Sequence, residues 1–530
     1  MKRRNFLQAI VMMPFVVGFL QSCRKKISWA GKITGASASI GHLLRNKLAD
    51  DAVSEVLRKK VVIIGSGISG LSAARQLIKK NITDFIILEL ESYPGGNASF
   101  GKNEISAYPQ GAHYVPIPNN YLEEYISFLQ ENNVITGFDE NHLPFFNEFY
   151  LCFDAQERLF VNGKWQEGII PKRGLQAAEL KEIEQFLVLM NNYRELKGVD
   201  GKYAFDIPAD QSSRDKELKD LDTITMKTWL LQHNLRSQHL HWYVNYCTRD
   251  DFATTYDTVS AWAGIHYFAS RKGKAANAAG GDVLTWPEGN GFLMNCLLET
   301  CKQKIRVNAL ATSVKAGENG VQVIFMDTIT KKTISIEASQ CIMACPQYVS
   351  ARLLQNEGRK ALVKGNYFYT PWLVANIKTD YQFSAPGTTL SWDNVVYDSP
   401  SLGYVDATHQ LLQQVTQTKN ITYYLPLTNG DPSVERTRVS LLTHDNWCEL
   451  VMDDMEKVHP GIREKVQEIN ITLWGHSMVQ PCPGFMFGKV KEQMAQAIGN
   501  KIFFAHTDNA GISIFEEAFY QGLNAAKQIS

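Results

Sequence analysis

One stretch of the chain admits very few folds. Val61-Val62-Ile63-Ile64 is a β-branched run that reads as a strand buried on both faces, and it runs straight into Gly65-Ser66-Gly67-Ile68-Ser69-Gly70. Glycines at this spacing meet three demands: a tight turn, close approach of backbone to a pyrophosphate, and close helix–strand packing. A helix is predicted from Ser69, with Leu71, Ala74, Leu77 and Ile78 on one face. Its first N–H groups and positive dipole end are then free for phosphate. A second strand, Phe85 to Leu88, ends in Glu89, where a carboxylate accepts from ribose hydroxyls and repels a 2′-phosphate. The order of these parts predicts an adenine-dinucleotide cradle on Gly65, Ser66, Gly67, Ser69, Gly70 and Glu89, and argues against NADP.

Glu89 is followed by Leu90 to Pro94 and then Gly95-Gly96-Asn97. This acid with its paired glycines resembles the flavin amine oxidase and phytoene desaturase superfamily, in which an Arg usually follows the pair. Asn97 stands there instead, with an amide that still donates a hydrogen bond. Two later stretches extend the resemblance. Trp286-Pro287-Glu288-Gly289-Asn290-Gly291-Phe292-Leu293 precedes a helix and a β-meander, with strands near 305–315, 321–325 and 334–344 and the Glu318-Asn319-Gly320 turn joining the first two. The resemblance implies that the Val314 backbone contacts the adenine. At the end of the chain, Lys501 to Ala505 reads as a strand and Ser513-Ile514-Phe515-Glu516 as a capping box, with Glu517-Ala518 and Gly522 in the family's Gly-Ala and Gly positions. The resemblance implies FAD, with N–H groups around Phe515 stabilising negative charge on the flavin N1–C2=O edge. The family's acid after this strand falls one residue later here, and Asp508 is the candidate for the ribityl or phosphate region.

At 530 residues, with 45% hydrophobic and 11% aromatic content, the chain is long enough for two well-buried domains. Lys+Arg and Asp+Glu are both 54, so no global field recruits nucleic acid, and no nucleic-acid partner is expected. The motifs lie near 60, 290 and 510, which predicts an α/β protein: a Rossmann-like FAD-binding domain assembled from 58–115, 272–346 and 473–530, plus an inserted α+β substrate domain from 116–271 and 347–472. The first insertion holds an expected hairpin over Leu151 to Trp165 with an Asn162-Gly163 turn, and helices over Ala177 to Glu195 and Thr225 to Leu235. Tyr367-Phe368-Tyr369 and Tyr423-Tyr424 are expected mainly in the core.

Lys2-Arg3-Arg4-Asn5-Phe6-Leu7-Gln8 precedes an apolar run, Ala9 to Leu20, too short for a comfortable membrane span. This is a twin-arginine export pattern, and Leu20-Gln21-Ser22-Cys23 looks like a lipobox, so 1–23 is expected to be an export signal with Cys23 lipid-modified. The expected location is the bacterial periplasm, anchored to a membrane as a lipoprotein. Residues 24–57 then form a tether, with a short element around Gly41-His42-Leu43-Leu44-Arg45.

The other eight cysteines lack metal-ligand spacing, and no metal site is expected. No second strand-glycine-helix unit offers NAD(P)H a place. The expected chemistry is removal of a hydride equivalent from a C–N or C–C bond of a small-molecule or lipid donor, with oxygen, a quinone or another envelope carrier as acceptor. No catalytic side chain is assigned. Trp474, Phe485 and Phe487 are candidate site-lining residues, and Lys364 and Lys378 lie in the segment where amine oxidases often carry a lysine near flavin N5. Two alternatives remain beside the amine oxidase reading: a carotenoid or lipid desaturase-type dehydrogenase, and a flavin-binding envelope lipoprotein without turnover.

Overall fold

The computed structural model describes residues 27–45, 53–384, 386–412 and 417–530, so the expected export signal lies outside the described residues. The apolar run at 61–64 becomes the inner half of a strand, Glu55–Ile64, whose first half is alternately exposed while Val61 to Ile64 are buried throughout. That change marks where the strand passes from the sheet margin to a layer covered on both faces. Its neighbours in the sheet are Phe85–Leu88, with Ile305–Arg306 beyond, and Thr333–Met343, all parallel to it. Thr333–Met343 plays two parts. Its first half pairs antiparallel with Val321–Asp327, which pairs in turn with Ala309–Ala316; its last residues, Cys341 to Met343, pair parallel with Ile502–Phe504. The meander read from sequence is therefore one flank of the dinucleotide sheet.

Helix Ile68–Lys79 follows the glycine turn and packs against the terminal helix Phe515–Lys527. Gly522 permits this approach, since a Cβ there would run into the Ser69 carbonyl oxygen, and Ser72 Oγ donates to the Phe519 carbonyl at 2.7 Å.

The second sheet has eight strands in the order Ile33–Gly35, Val466–Val479, Tyr369–Thr379, Lys419–Pro426, Gly403–Asp406, Asp393–Val396, Glu157–Val161 and Lys164–Glu167. The last two form the expected hairpin, shorter than the 151–165 read from sequence; Asn162 (φ 51°) and Gly163 (φ 74°) both occupy the left-handed region that a two-residue type I′ turn requires. Helices Ala177–Glu195, Met226–Gln232, Gln238–Phe252 and Ala261–Ala269 supply much of the core packed beside it.

Two segments fall differently from the sequence reading. Residues 473–479, grouped with the cofactor domain, continue the long strand Val466–Val479 of the second sheet. Within the expected tether, Ile33–Gly35 is a parallel edge strand of that same sheet, and 55–57 already belong to the first dinucleotide strand. No described helix is long and apolar enough to cross a membrane.

Candidate active site

The cradle is built from two glycine loops bound to each other. Gly95 N donates to the Ser66 carbonyl at 3.0 Å, and Gly67 and Gly95 form a parallel bridge. Gly65 (φ 101°), Gly95 (φ 122°) and Gly96 (φ 55°) hold backbone conformations that L side chains rarely adopt. At Gly70 a Cβ would strike the Gly65 carbonyl oxygen, so this glycine serves helix–strand packing. Gly67 differs: a Cβ there meets no protein atom within 4 Å, and one at Gly96 would point toward the Gly67 Cα at 3.5 Å. The space between the two loops is left for something other than protein. The helix opening beside it has no side-chain cap, and its first intrahelical bond is Leu71 N to Gly67 O, which leaves the N–H groups of Ile68, Ser69 and Gly70 for a phosphate. The residues present fit the diphosphate of FAD.

Glu89 sits at the end of its strand, 9% exposed. Its Oε2 accepts from Ser66 N (2.9 Å) and Ser66 Oγ (2.6 Å), and its Oε1 accepts from Glu91 N (2.9 Å). A carboxylate offers about four acceptor positions, so one remains on Oε1 for a ribose hydroxyl. Burial raises the Glu89 pKa, and its three hydrogen bonds work against that. Asn97 Nδ2 donates to the Ser477 carbonyl at 2.9 Å, tying the second glycine loop to the long strand of the second sheet. Val314 is buried on the edge strand Ala309–Ala316, just past a bulge between Ala311 and Ser313. Asp508 is fully buried; its Oδ2 accepts from Gln347 N (2.7 Å) and Tyr369 OH (2.5 Å), and Oδ1 lies 3.1 Å from His506 Nδ1.

The capping box expected over Ser513–Glu516 does not form. The N-cap is Ile514, which offers no side-chain acceptor, and Ser513 Oγ instead faces Thr507 Oγ1 at 3.5 Å. Phe515 opens the helix, buried, with the first N–H groups uncapped. An uncapped buried terminus suits a helix aimed at a ligand better than one closed on itself. Burial pushes the carboxyls of Glu516 and Glu517 up to about 7 and about 8.

A cavity of about 550 Å³ opens among the second sheet and the helices packed beside it. Its surface end carries Lys172 and Leu187, the latter 37% exposed. Its inner wall is aromatic: His113 stacks on Tyr424 (centroids 4.5 Å apart) and lies 5.5 Å from Trp392, with Tyr114, Tyr243, Tyr246 and Tyr267 around them. Burial pushes the His113 imidazole down to about 3, so this wall is uncharged at neutral pH. Three carboxylates face the same space from three elements: Glu157, Asp250 and Asp393. The Glu157 carboxylate has no hydrogen-bond or ion-pair partner among the described residues, Asp250 Oδ2 receives Tyr114 OH at 3.3 Å, and Asp393 Oδ2 receives Tyr246 OH at 3.5 Å. Of the cations lining the space, Arg271 Nη2 donates to both Asp251 oxygens at 2.7 and 3.0 Å, Arg194 Nη2 donates to the Phe268 carbonyl at 3.0 Å, and Lys172 stands at the surface end. Burial, then the neighbouring Asp251 charge, pushes Asp250 up to about 7; burial, then Glu157 and Asp250, raises Asp393 further. Arg271, which lines the cavity, and Asp251 also lie within electrostatic reach of Glu516 near the start of the terminal helix.

None of the three aromatics expected to line the site reaches this cavity. Trp474 Nε1 donates to the Gln110 carbonyl at 2.7 Å, Phe485 packs edge-on to Tyr367 at 5.1 Å, and Phe487 edge-on to Trp262 at 5.4 Å. Lys378 is paired with Glu104, and Lys364 lies on an exposed helix face. Of the tyrosine pair, Tyr423 is core, its OH donating to Asp454 at 3.0 Å, while Tyr424 lines the cavity. The acidic trio was not found from sequence. Its one visible trace is Asp250-Asp251 at the end of an aromatic-rich helix, a carboxylate pair without a basic neighbour two to four residues on.

A family model of flavin-containing amine oxidoreductases matches residues 68–530. The fold is shared with solved structures of low identity. A putrescine oxidase solved with putrescine bound is 14% identical with a TM-score of 0.64, the match covering 89% of this chain and 99% of that one. A cyclohexylamine oxidase from Brevibacterium oxydans is 14% identical (TM-score 0.62; 89% and 98%), and a fatty acid isomerase from P. acnes 15% (TM-score 0.60; 90% and 98%). With its cradle, its uncapped terminal helix and this match over most of its length, the chain belongs to the flavin-containing amine oxidoreductases and is an FAD-dependent oxidoreductase.

Proposed function

We propose that the electron donor is an amine, held as its cation in the 550 Å³ cavity, and that it gives an ammonium proton to a cavity carboxylate and then loses a hydride equivalent at its C–N bond to become an iminium. The observation that carries this reading is the trio Glu157, Asp250 and Asp393 facing an aromatic-lined space in which, among the described residues, none of the three has a cation at ion-pair distance. Three desolvated carboxylates with no cation at ion-pair distance among the described residues are costly while ionised, and burial first of all raises their pKa values. A substrate ammonium group relieves that cost, and the faces of Tyr114, Tyr246, Tyr424 and Trp392 add attraction for a desolvated cation. The same walls exclude water and fix the donor carbon relative to the start of the terminal helix. FAD, when bound, accepts the hydride equivalent. The putrescine and cyclohexylamine oxidases that share the fold support an amine, and the fatty acid isomerase supplies the competing lipid class.

The test is anaerobic mixing of the purified holoenzyme with primary amines, polyamines, amino acids, apolar polyenes and unsaturated fatty acids. Bleaching of the flavin by amines alone is expected. Bleaching by polyenes or fatty acids alone overturns the amine, and silence across the panel overturns turnover itself in favour of a flavin-binding lipoprotein. We also propose that the Arg3-Arg4 and Cys23 motifs direct export and lipid anchoring, so that the enzyme works at a membrane of the bacterial envelope with oxygen, a quinone or another envelope carrier as acceptor.

A further inference from the structure

Residues 27–45 do more than lead into the body of the protein. Trp29 is 6% exposed and its Nε1 donates to the Arg463 carbonyl at 3.2 Å, and Ile33 to Gly35 pair parallel with Ile471 to Leu473. The segment then crosses to the dinucleotide domain. Glu91 accepts from Ser37 N (2.7 Å) and Ser37 Oγ (2.6 Å), while Glu91 N donates to Glu89, the candidate ribose ligand. Gly41 lies against Leu90, and Arg45 Nη2 meets His42 Nε2 at 2.7 Å.

Past this crossing the described residues gather positive charge. Burial, then Arg45 and Arg352, lowers the His42 imidazole, and burial, then Arg436 and Arg45, pushes His476 down to about 3. Among the described residues none of the three arginines has a carboxylate at ion-pair distance; Arg436 Nη1 donates to the Tyr369 carbonyl at 2.5 Å, and Arg45 has only His42. The cluster adjoins the cradle on two sides. His476 is next to Ser477, whose carbonyl holds Asn97 of the second glycine loop, and it stacks at 4.4 Å on Tyr348, next to Gln347, which binds Asp508. Asn97 itself is uncharged.

We propose that residues 27–45 are a strap closing the FAD site, and that Arg45, with Arg352 and Arg436, supplies the positive charge for the cofactor diphosphate that Asn97 does not. The strap rests on the FAD assignment and adds to it a source of cofactor retention outside the matched residues 68–530. A doubly charged diphosphate offsets two of the three positive charges, and the bonds from Ser37 to Glu91 hold the strap in place.

The experiment follows FAD release from the holoprotein by the rise in free-flavin fluorescence on dilution, at low and high salt. Arg45 and Arg352 are both exposed, so Arg45→Ala/Arg352→Ala is expected to fold, which circular dichroism checks. Release roughly tenfold faster or more, with a weaker salt dependence than the parent and recovery in Arg45→Lys/Arg352→Lys, is expected. Parent-like release from the alanine variant, while Gly67→Val loses FAD, overturns the strap and leaves the FAD assignment standing. Should the parent and Gly67→Val hold FAD equally, the cradle itself is misassigned and the strap falls with it.

Discussion

Replacing Gly67 separates the cost to the fold from the cost to the cofactor. Gly67 has φ −69° and ψ −178°, extended backbone that any residue adopts, and a Cβ there meets no protein atom within 4 Å. Alanine or valine should therefore leave the apoprotein at least as stable as the parent; fewer unfolded conformations are worth about 0.4–1 kcal/mol. The same side chain fills the space that faces Gly96 and holds the diphosphate away from the N–H groups of Ile68, Ser69 and Gly70. Charge-assisted hydrogen bonds of that kind contribute about 1.5–3 kcal/mol each. Losing one or two of them weakens FAD binding by about 2–5 kcal/mol, roughly 30-fold to several thousand-fold in Kd. Apoprotein titrated with FAD by flavin fluorescence gives the Kd, and thermal unfolding without FAD gives the stability. An unchanged Kd in Gly67→Val refutes the cradle, and a fall in apoprotein Tm beyond a few degrees refutes the claim that the space is free of protein.

Gly70→Ala and Gly522→Ala should behave in the opposite way, because each Cβ strikes a backbone carbonyl; apoprotein Tm falls in both with or without FAD. The KM for an amine donor should fall as pH rises through about 7, where Asp250 gains its charge, by up to about tenfold per pH unit on the acid side, and Asp250→Asn should flatten that profile in steady-state kinetics. Glu516 and Glu517 are buried acids whose folded pKa values, about 7 and about 8, lie above those of the unfolded chain, so their contribution is fully present at low pH and lost as pH rises from about 4.5 to 8. Chemical denaturation of the apoprotein should show stability declining over that window, less steeply in Glu517→Gln, whose side-chain oxygen can still accept from Ala209 N. For localisation, Arg3→Lys/Arg4→Lys should leave the precursor in the cytoplasm and Cys23→Ala should free the protein from membrane fractions; unchanged fractionation of the Cys23 variant rejects the lipobox.

The dinucleotide half was readable because its constraints are local. Strand, glycine turn, helix and acid lie within 61–89, and each glycine has a steric reason that survives any tertiary context. Helix 177–195 was legible for the same reason, from its spacing alone. The cavity was not, because its trio comes from strand Glu157–Val161, helix Gln238–Phe252 and strand Asp393–Val396, brought together only by the order of the eight-stranded sheet and the helices packed on it. No spacing along the chain encodes that meeting. The partner of Trp474 was hidden for a related reason, since its indole donates to the Gln110 carbonyl, far from it along the chain. The box at Ser513–Glu516 failed because Ser513 lies one residue outside the cap position.

The strand Thr333–Met343 has a consequence for biosynthesis. Its last residues need Glu55–Ile64 on one edge and Ile502–Phe504 on the other, and the terminal helix closes over Ser69 through Gly522. The cofactor pocket thus joins residues more than four hundred positions apart. A nascent chain still attached to the ribosome lacks the final strand and helix while the glycine turn has long since emerged. Its apolar edge waits, unpaired, until that late strand has emerged. The pocket is thus completed only when the strand and helix made late in synthesis reach back to a glycine turn made early.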